Sequence, residues 1–325
     1  MYSDVRGIKV FRFGIGDEKE VMYMQGILPL WKEKGMTSHD CVFKLRKILR
    51  MKKIGHTGTL DPNVDGVLPI CLGSATRIAA YITDSGKEYE AVVSIGTTTE
   101  TEDADGLVVE QDLSMKKLTR TQIEEALAQL TGKIDQTPPM YSAVKVNGKR
   151  LYEYARKGIE VERPTRQVYI ESIELRTEAE QFVGETITFP IRVKCGKGTY
   201  IRTLAVQIGQ LLGYPAHMAS LTRTMSGSFE QQQCVTLAEV EEKFAEGQMD
   251  DVLLSVEKAL EQFPFIELDS EKYAKIKNGQ VLPKHAMLEH ASKIVFTKNG
   301  RAVAVYIQHP TKPEYMKPEK MFPTE

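Results

Sequence analysis

GHTGTLDPNVDGVLPICLG, residues 55–73, is the stretch whose reading decides the fold of this chain. Gly55 and Gly58 bracket His56 and Thr57, so the backbone can turn tightly there and a large planar ligand can approach it closely. Asp61 directly precedes Pro62, and a residue before proline is pushed from the helical region into an extended conformation, which limits where its carboxylate can point. Downstream, Val67, Leu68, Ile70 and Leu72 form an apolar run that reads as a buried strand or helix anchoring the loop. A carboxylate held rigidly above a core is how active sites are supported. On local grounds alone, Asp61 and Asp65 read equally well as turn residues, because Asp-Pro and Asp-Gly are ordinary turn chemistry.

Working outward, the 325 residues suffice for one large domain plus a small one, or two of medium size. The chain is 42% hydrophobic and 27% charged, as expected of a soluble globular protein. Its formal net charge of -1 argues weakly against nucleic-acid binding, but the distribution points the other way. Residues 44–53 (KLRKILRMKK) carry six basic side chains and no acid, and Arg192, Lys194, Lys197 and Arg202 follow the same pattern, whereas acids collect around 88–105 and 239–261. Such segregation can build a basic face for phosphate on a nearly neutral molecule. Cys41, Cys71, Cys195 and Cys234 are widely spaced, and the six histidines form no HxxxH or HExxH pattern, which argues against a disulfide framework or a metal site. There is no apolar run of membrane-spanning length and no signal-peptide pattern, so a cytoplasmic location is expected.

Periodicity predicts a helix over 37–51, capped by Thr37 and Asp40, with Val42, Leu45 and Leu49 as its apolar stripe and its basic residues elsewhere. Residues 88–96 alternate as a strand, with Tyr89, Ala91, Val93 and Ile95 on one side. Thr121 and Glu124 are expected to box the start of the next helix, and Asn147-Gly148 signals a hairpin. Strands follow at 168–175 and 187–193, then a helix over 200–212 ended by Gly213, and another begun by Thr236 and Glu239. Beyond about 251 the pattern changes to a smaller unit: a strand near 265–268, a helix near 270–277 and a hairpin over 293–307 turning at Asn299-Gly300.

The 55–73 stretch closely resembles the active-site motif of the bacterial tRNA pseudouridine synthase B (TruB) family, a G-H-T-G-x-L-D-P-x-x-x-G-x-L-P-I-x-x-G run. The resemblance covers about residues 24–233 and includes 32–40 (KEKGMTSHD), 87–91 (KEYEA), 101–106 (TEDADG), 138–156 and 197–203 (KGTYIRT). It implies that Asp61 is the catalytic aspartate, that Arg202 is the cation paired with it, and that Tyr89 stacks on the target base and exchanges a proton. Tyr200 would line the same pocket, and His56 would fill the space left when the base is flipped out of its stack. Lys32, Ser38, the 44–53 cluster and 145–149 are candidates for phosphate contacts, which position RNA without reading its sequence.

The resemblance thus implies an α+β fold: a catalytic domain over 24–250 with a mixed, mainly antiparallel sheet, then a PUA-like RNA-binding domain over 251–325. Residues 1–23 lie outside it, as a start-site extension or as an added strand using Ile8, Val10 and Phe11. The implied activity is isomerisation of uridine to pseudouridine at standard position 55, in the TΨC loop of tRNA. No cofactor, metal, membrane or obligatory protein partner is expected, and the chain lacks the GxGxxG and GxxxxGK[ST] phosphate-binding patterns. Whether Asp61 attacks the base, attacks the sugar or removes a sugar proton stays open. The rivals are a guide-RNA-dependent relative, a non-catalytic tRNA-binding or folding factor, and a glycoside hydrolase, for which Asp61 and Asp65 in one short loop are poorly placed.

Overall fold

The apolar run after Asp61 is a strand, Asp65–Leu72, buried on both sides from Gly66 onward. That accounts for its unbroken hydrophobicity, since a strand covered on both faces has no solvent side on which to alternate. It pairs antiparallel with Val21–Lys32, and Ile54–His56 lies along its other edge. Pro29 and Pro69 face each other across this ladder. They are tolerated because their carbonyls point outward at that position, Pro29 accepting from Val235 N at 3.0 Å and Pro69 from Thr57 N at 3.1 Å, so no bond between the two strands is lost.

The computed structural model describes residues 2–5, 8–13 and 21–322. The expected extension 1–23 lies partly outside these, as do the last three residues of 251–325. The backbone of Ile8–Phe13 pairs antiparallel with Val21–Lys32. The α-helices among the described residues are α1 (Ser38–Ile48), α2 (Ala79–Asp84), α3 (Arg120–Gln129), α4 (Leu151–Ala155), α5 (Ile201–Leu212), α6 (Leu237–Ala245) and α7 (Ser270–Ile276). No helix there is long and apolar enough to cross a membrane. The chain divides into two compact units, 1–83 with 226–325, and 84–225.

In the first unit, Thr37 and Asp40 form the expected capping box of α1, the Thr37 hydroxyl accepting from Asp40 N at 3.0 Å and Asp40 Oδ2 from Thr37 N at 2.9 Å. Val42 and Leu45 bury the expected stripe. Thr236 and Glu239 box α6 as expected. Ile27, Val67, Cys71, Ile78 and Tyr81 pack with Leu260, Val295, Val305 and Phe322 in one core, so the amino-terminal strands and the carboxy-terminal segment share buried surface. The end of the chain forms a five-stranded sheet in the order Phe265–Glu267, Ile294–Lys298, Arg301–Gln308, Tyr315–Met321, Leu282–Pro283. Its first pair is parallel and the remaining pairs are antiparallel. Asn299 (φ 53°) and Gly300 (φ 73°) make the expected turn, both with the positive φ that a two-residue hairpin loop requires.

The second unit is a sheet in the order Ala216–Ser226, Lys87–Ile95, Ile187–Cys195, Arg166–Leu175, Gly132–Gln136. Its inner face is built by strict alternation, with Ile187, Phe189, Ile191, Val193 and Cys195 all buried. α3 packs against α5 and the strand Arg166–Leu175. α3 begins earlier than expected: its box is Thr119 with Gln122, not Thr121 with Glu124. The reason is tertiary. Lys116–Thr119 is held extended by pairing with Gln181–Gly184, so Thr119 is the last non-helical residue and becomes the cap.

The second basic stretch does not form a basic face. Arg192 pairs with Glu90 at 2.7 Å, Lys194 with Glu88 at 3.6 Å and Lys197 with Asp84 at 3.1 Å. The register of Ile187–Cys195 on Lys87–Ile95 sets Arg192 opposite Glu90 and Lys194 opposite Glu88, interleaving the charges that are segregated in the sequence.

Candidate active site

The Asp61 turn is held from below. Val64 N donates to Asp61 O at 3.1 Å and Gly35 N to Pro62 O at 2.9 Å, closing a turn with Asp61 half-buried at its shoulder. Lys32, 0% exposed, donates from Nζ to Val64 O (2.6 Å), Pro62 O (3.1 Å) and Glu33 O (3.0 Å). Ser38, at 1%, accepts from Leu60 N at 2.9 Å and donates to Leu60 O at 3.3 Å. Thr57 is fully buried, with its N–H and hydroxyl both on Pro69 O. Inward-facing carbonyls in a tight loop must be satisfied, and here a buried ammonium and a buried hydroxyl satisfy them. Lys32 and Ser38, expected as phosphate contacts, are both turned away from solvent in this structure, where they support the aspartate turn.

His56 is half-buried at the end of the strand Ile54–His56, opposite Ile70. α1, which precedes it, exposes Lys44, Arg46 and Lys47, and exposed Arg50, Lys52 and Lys53 follow, so the first basic stretch does form an outward basic surface. Phe43 lies on the same exposed side, 52% exposed with Lys47 Nζ 4.4 Å from its ring centroid. Phe43 lies outside the apolar stripe, and an aromatic among basic residues on a polar face is its signal in the sequence.

In the second unit, Arg202 is the second residue of α5 and only 7% exposed. Its Nη1 donates to Thr101 O at 3.2 Å and lies 3.5 Å from Asp103 Oδ2, while Nη2 donates to Tyr141 O at 3.1 Å. Asp103 is itself fixed, its Oδ1 accepting from Thr101 Oγ1 at 2.5 Å and from Asp105 N at 3.1 Å. Gly106 permits this fold of the 101–106 segment, because a Cβ there would lie 2.3 Å from Thr101 Oγ1. Tyr200 is the N-cap residue of α5, with no capping bond from its side chain. Its backbone is clamped on both sides by Gln136, whose Oε1 accepts from Tyr200 N (2.9 Å) and whose Nε2 donates to Tyr200 O (3.2 Å).

Tyr89 is buried on the inner face of Lys87–Ile95 with Ala91 and Val93, as its alternation predicts. Lys87, two residues before it, shares that face. Burial, reinforced by the nearby charge of Arg223, depresses the Lys87 ammonium to about 8. Arg223 is itself only 1% exposed. Asp103, Gln136, Tyr141, Lys87 and Arg223 are the surroundings that the sequence reading missed. Asp103, Lys87 and Tyr141 lie inside the 101–106, 87–91 and 138–156 blocks; Gln136 and Arg223 carry no local signal. Among the described residues no group of three or more His, Cys, Asp or Glu is arranged to hold a metal ion.

Comparison with known proteins gives this arrangement a class. Residues 46–201 match the model of the TruB family pseudouridylate synthase N-terminal domain, and 202–261 that of the tRNA pseudouridylate synthase B C-terminal domain. The fold matches the crystal structure of a Cbf5-Nop10-Gar1 complex with a TM-score of 0.69 and 27% identity, over 91% of this chain and 84% of the matched one. These place the chain among the pseudouridylate synthases.

Within that class it belongs to the TruB family. It is 55% identical to the tRNA pseudouridine synthase B of Geobacillus thermodenitrificans over 301 residues, 92% of this chain and 100% of that protein. The proteins of the same name from Bacillus anthracis and Listeria innocua are each 53% identical, over 92% of this chain and 97% and 98% of theirs.

Proposed function

We propose that this chain isomerises uridine to pseudouridine in tRNA, at position 55 of the TΨC loop. The observation that carries the reading is the Asp61 turn, a half-buried carboxylate on a backbone fixed by the buried side chains of Lys32, Ser38 and Thr57. Preorganisation of this kind is what a reacting group needs, since small misplacements of a catalytic atom are costly.

The chemistry asks for little else. The bond from N1 of uracil to the sugar C1′ breaks, the ring turns, C5 bonds to C1′, and the proton leaving C5 is balanced by one gained at nitrogen. Atoms and electrons balance within the nucleotide, with no redox partner and no leaving group. Asp61 supplies the carboxylate that acts on the base or the sugar. Arg202 is the cation serving it, and Tyr89 supports the base, with Tyr200 lining the pocket. His56 takes the place of the extruded base, whose unstacking costs a few kcal/mol. The exposed basic face of α1 and the Asn147-Gly148 hairpin, with Lys145 and Lys149 exposed, supply phosphate contacts. Residues 251–325 act as an RNA-binding module beyond the TΨC loop.

The Cbf5 resemblance raises the reading of a guide-RNA-dependent enzyme. Identities of 53–55% to tRNA pseudouridine synthase B proteins, against 27% to the Cbf5 chain, favour the stand-alone one. The test is to incubate purified protein with unmodified tRNA, without guide RNA or other protein, and map pseudouridine along the product. Modification confined to position 55 is expected. A product modified elsewhere would reject the substrate assignment, and no product without a guide RNA would favour the rival.

A further inference from the structure

The resemblance assigns Arg202 a role but says nothing of the residue around which its surroundings turn. Glu102 lies between Thr101 and Asp103, the first binding Arg202 through its carbonyl and the second through its carboxylate. Its φ is +62°, in the left-handed region that a side chain other than glycine, asparagine or aspartate rarely occupies. The conformation is held at every polar group of the residue. Glu102 N donates to Thr99 O at 3.1 Å, Glu102 O accepts from Met218 N at 3.0 Å, and Oε2 accepts from Thr203 Oγ1 at 2.6 Å. Thr203 is the residue after Arg202 on α5 and is itself buried. The carboxylate therefore crosses from the 101–103 turn to the helical turn that carries the guanidinium.

We propose that Glu102 is a positioning residue for the isomerisation: its bond to Thr203 locks the 101–103 turn onto the first turn of α5 and so sets the direction of the Arg202 guanidinium. Three consecutive residues then form one bracket, with Thr101 and Asp103 gripping Arg202 and Glu102 gripping its neighbour. Burial raises the Glu102 carboxyl above its ordinary range, with Thr203, Arg202 and Arg163 pulling the other way and Asp103 adding to the rise. Arg163 donates to Pro138 O at 3.0 Å, so the cations around Glu102 come from two elements, α5 and the 137–165 segment. A strained backbone that is over-determined by its surroundings is typical of a site where geometry is used. A bare left-handed turn would be better served by glycine, so what a glutamate adds at this position is its side chain.

The inference rests on Arg202 serving the reacting uridine, and the test separates the two. Glu102→Gly relieves the backbone while removing the carboxylate, so it should keep or raise the Tm. Its kcat on a TΨC stem-loop should fall about ten- to a hundredfold, the range that a misplaced catalytic group costs. KM should stay within about twofold, because an interaction needed only in the transition state is lost. Glu102→Gln retains an oxygen for the Thr203 hydroxyl and should recover most of the rate. Thr203→Val, which leaves the 101–103 turn untouched, should lower kcat in the same way as Glu102→Gly. In an Arg202→Lys background Glu102→Gly should cost little more, since residues acting through one group are not additive.

Wild-type kcat in Glu102→Gly would overturn the proposal. So would a parallel loss of Tm and kcat that Glu102→Gln fails to rescue, or full additivity with Arg202→Lys. A wild-type protein that forms no pseudouridine, or an Arg202→Lys variant of unchanged rate, would instead defeat the functional reading beneath it.

Discussion

Two short segments do opposite jobs with the same materials. In the 57–64 loop the backbone is the object held, and buried side chains hold it: Lys32 on Pro62 O and Val64 O, Ser38 on Leu60. In the 99–106 segment a side chain is the object held, and the backbone does much of the holding, with Thr101 O and Tyr141 O on the Arg202 guanidinium and Asp103 beside it. The difference follows from what each must deliver. A short aspartate has few degrees of freedom, so its direction is set by fixing the main chain under it. A long arginine must be fixed at its tip, where a planar fork of donors calls for several acceptors in one plane.

The comparison can be broken most directly at the two groups being presented. Asp61→Asn keeps size and loop geometry but removes a reacting oxygen. It is expected to abolish pseudouridine formation while tRNA affinity stays within about threefold, because phosphate contacts carry most of the binding. Single-turnover assays alongside filter binding check this, and appreciable product from the pure variant would remove Asp61 from the reaction. Arg202→Lys should lower the rate about a hundredfold or more, since an ammonium cannot span the acceptors that a guanidinium spans. Full activity in that variant would argue against Arg202 serving Asp61 and so against the functional reading.

Lys32→Met sharpens the contrast. Leaving Pro62 O and Val64 O without their buried donor should cost about 2–4 kcal/mol of stability, measured by urea unfolding. Lys47→Met, on the exposed face of α1, should change stability by no more than about 0.5 kcal/mol. It should instead weaken tRNA binding and make its salt dependence shallower by roughly one unit of slope. The reverse pattern, with Lys32→Met stable but weak in RNA binding, would make Lys32 a phosphate contact.

The smallest expected effect concerns Lys87. Its ammonium, depressed to about 8 in the fold from an ordinary value of 10.5, is disfavoured by burial wherever it is protonated. Below about 8 it is protonated in both folded and unfolded chains, and the burial penalty is fully present. Between about 8 and 10.5 the unfolded chain binds more proton, so this group's contribution to stability improves as pH rises. Lys87→Met also removes the Nζ bond to Ser85 O at 2.7 Å, which shifts stability by an amount independent of pH, so the wild type should gain stability relative to Lys87→Met from about pH 7 to about pH 10. A difference between the two that does not change with pH would show that Lys87 is not desolvated in solution.

What the sequence determined by itself was local. The caps of α1 and α6, the left-handed Gly213 ending α5 and the two Asn-Gly turns all lie where their residues predict them. They do so because capping and φ preferences act within about four residues. The Asp61 loop was legible for the same reason, its glycines and prolines being tied to particular backbone angles. Only the tertiary structure decided that Lys32 and Ser38 face inward, that Thr119 and not Thr121 starts α3, and that Glu88 and Glu90 neutralise the basic stretch beyond Arg192. The cage of Arg202 belongs with these. Two of its acceptors are main-chain carbonyls, which every residue possesses, so nothing in the identity of Thr101 or Tyr141 distinguishes them until the fold brings their oxygens to one guanidinium.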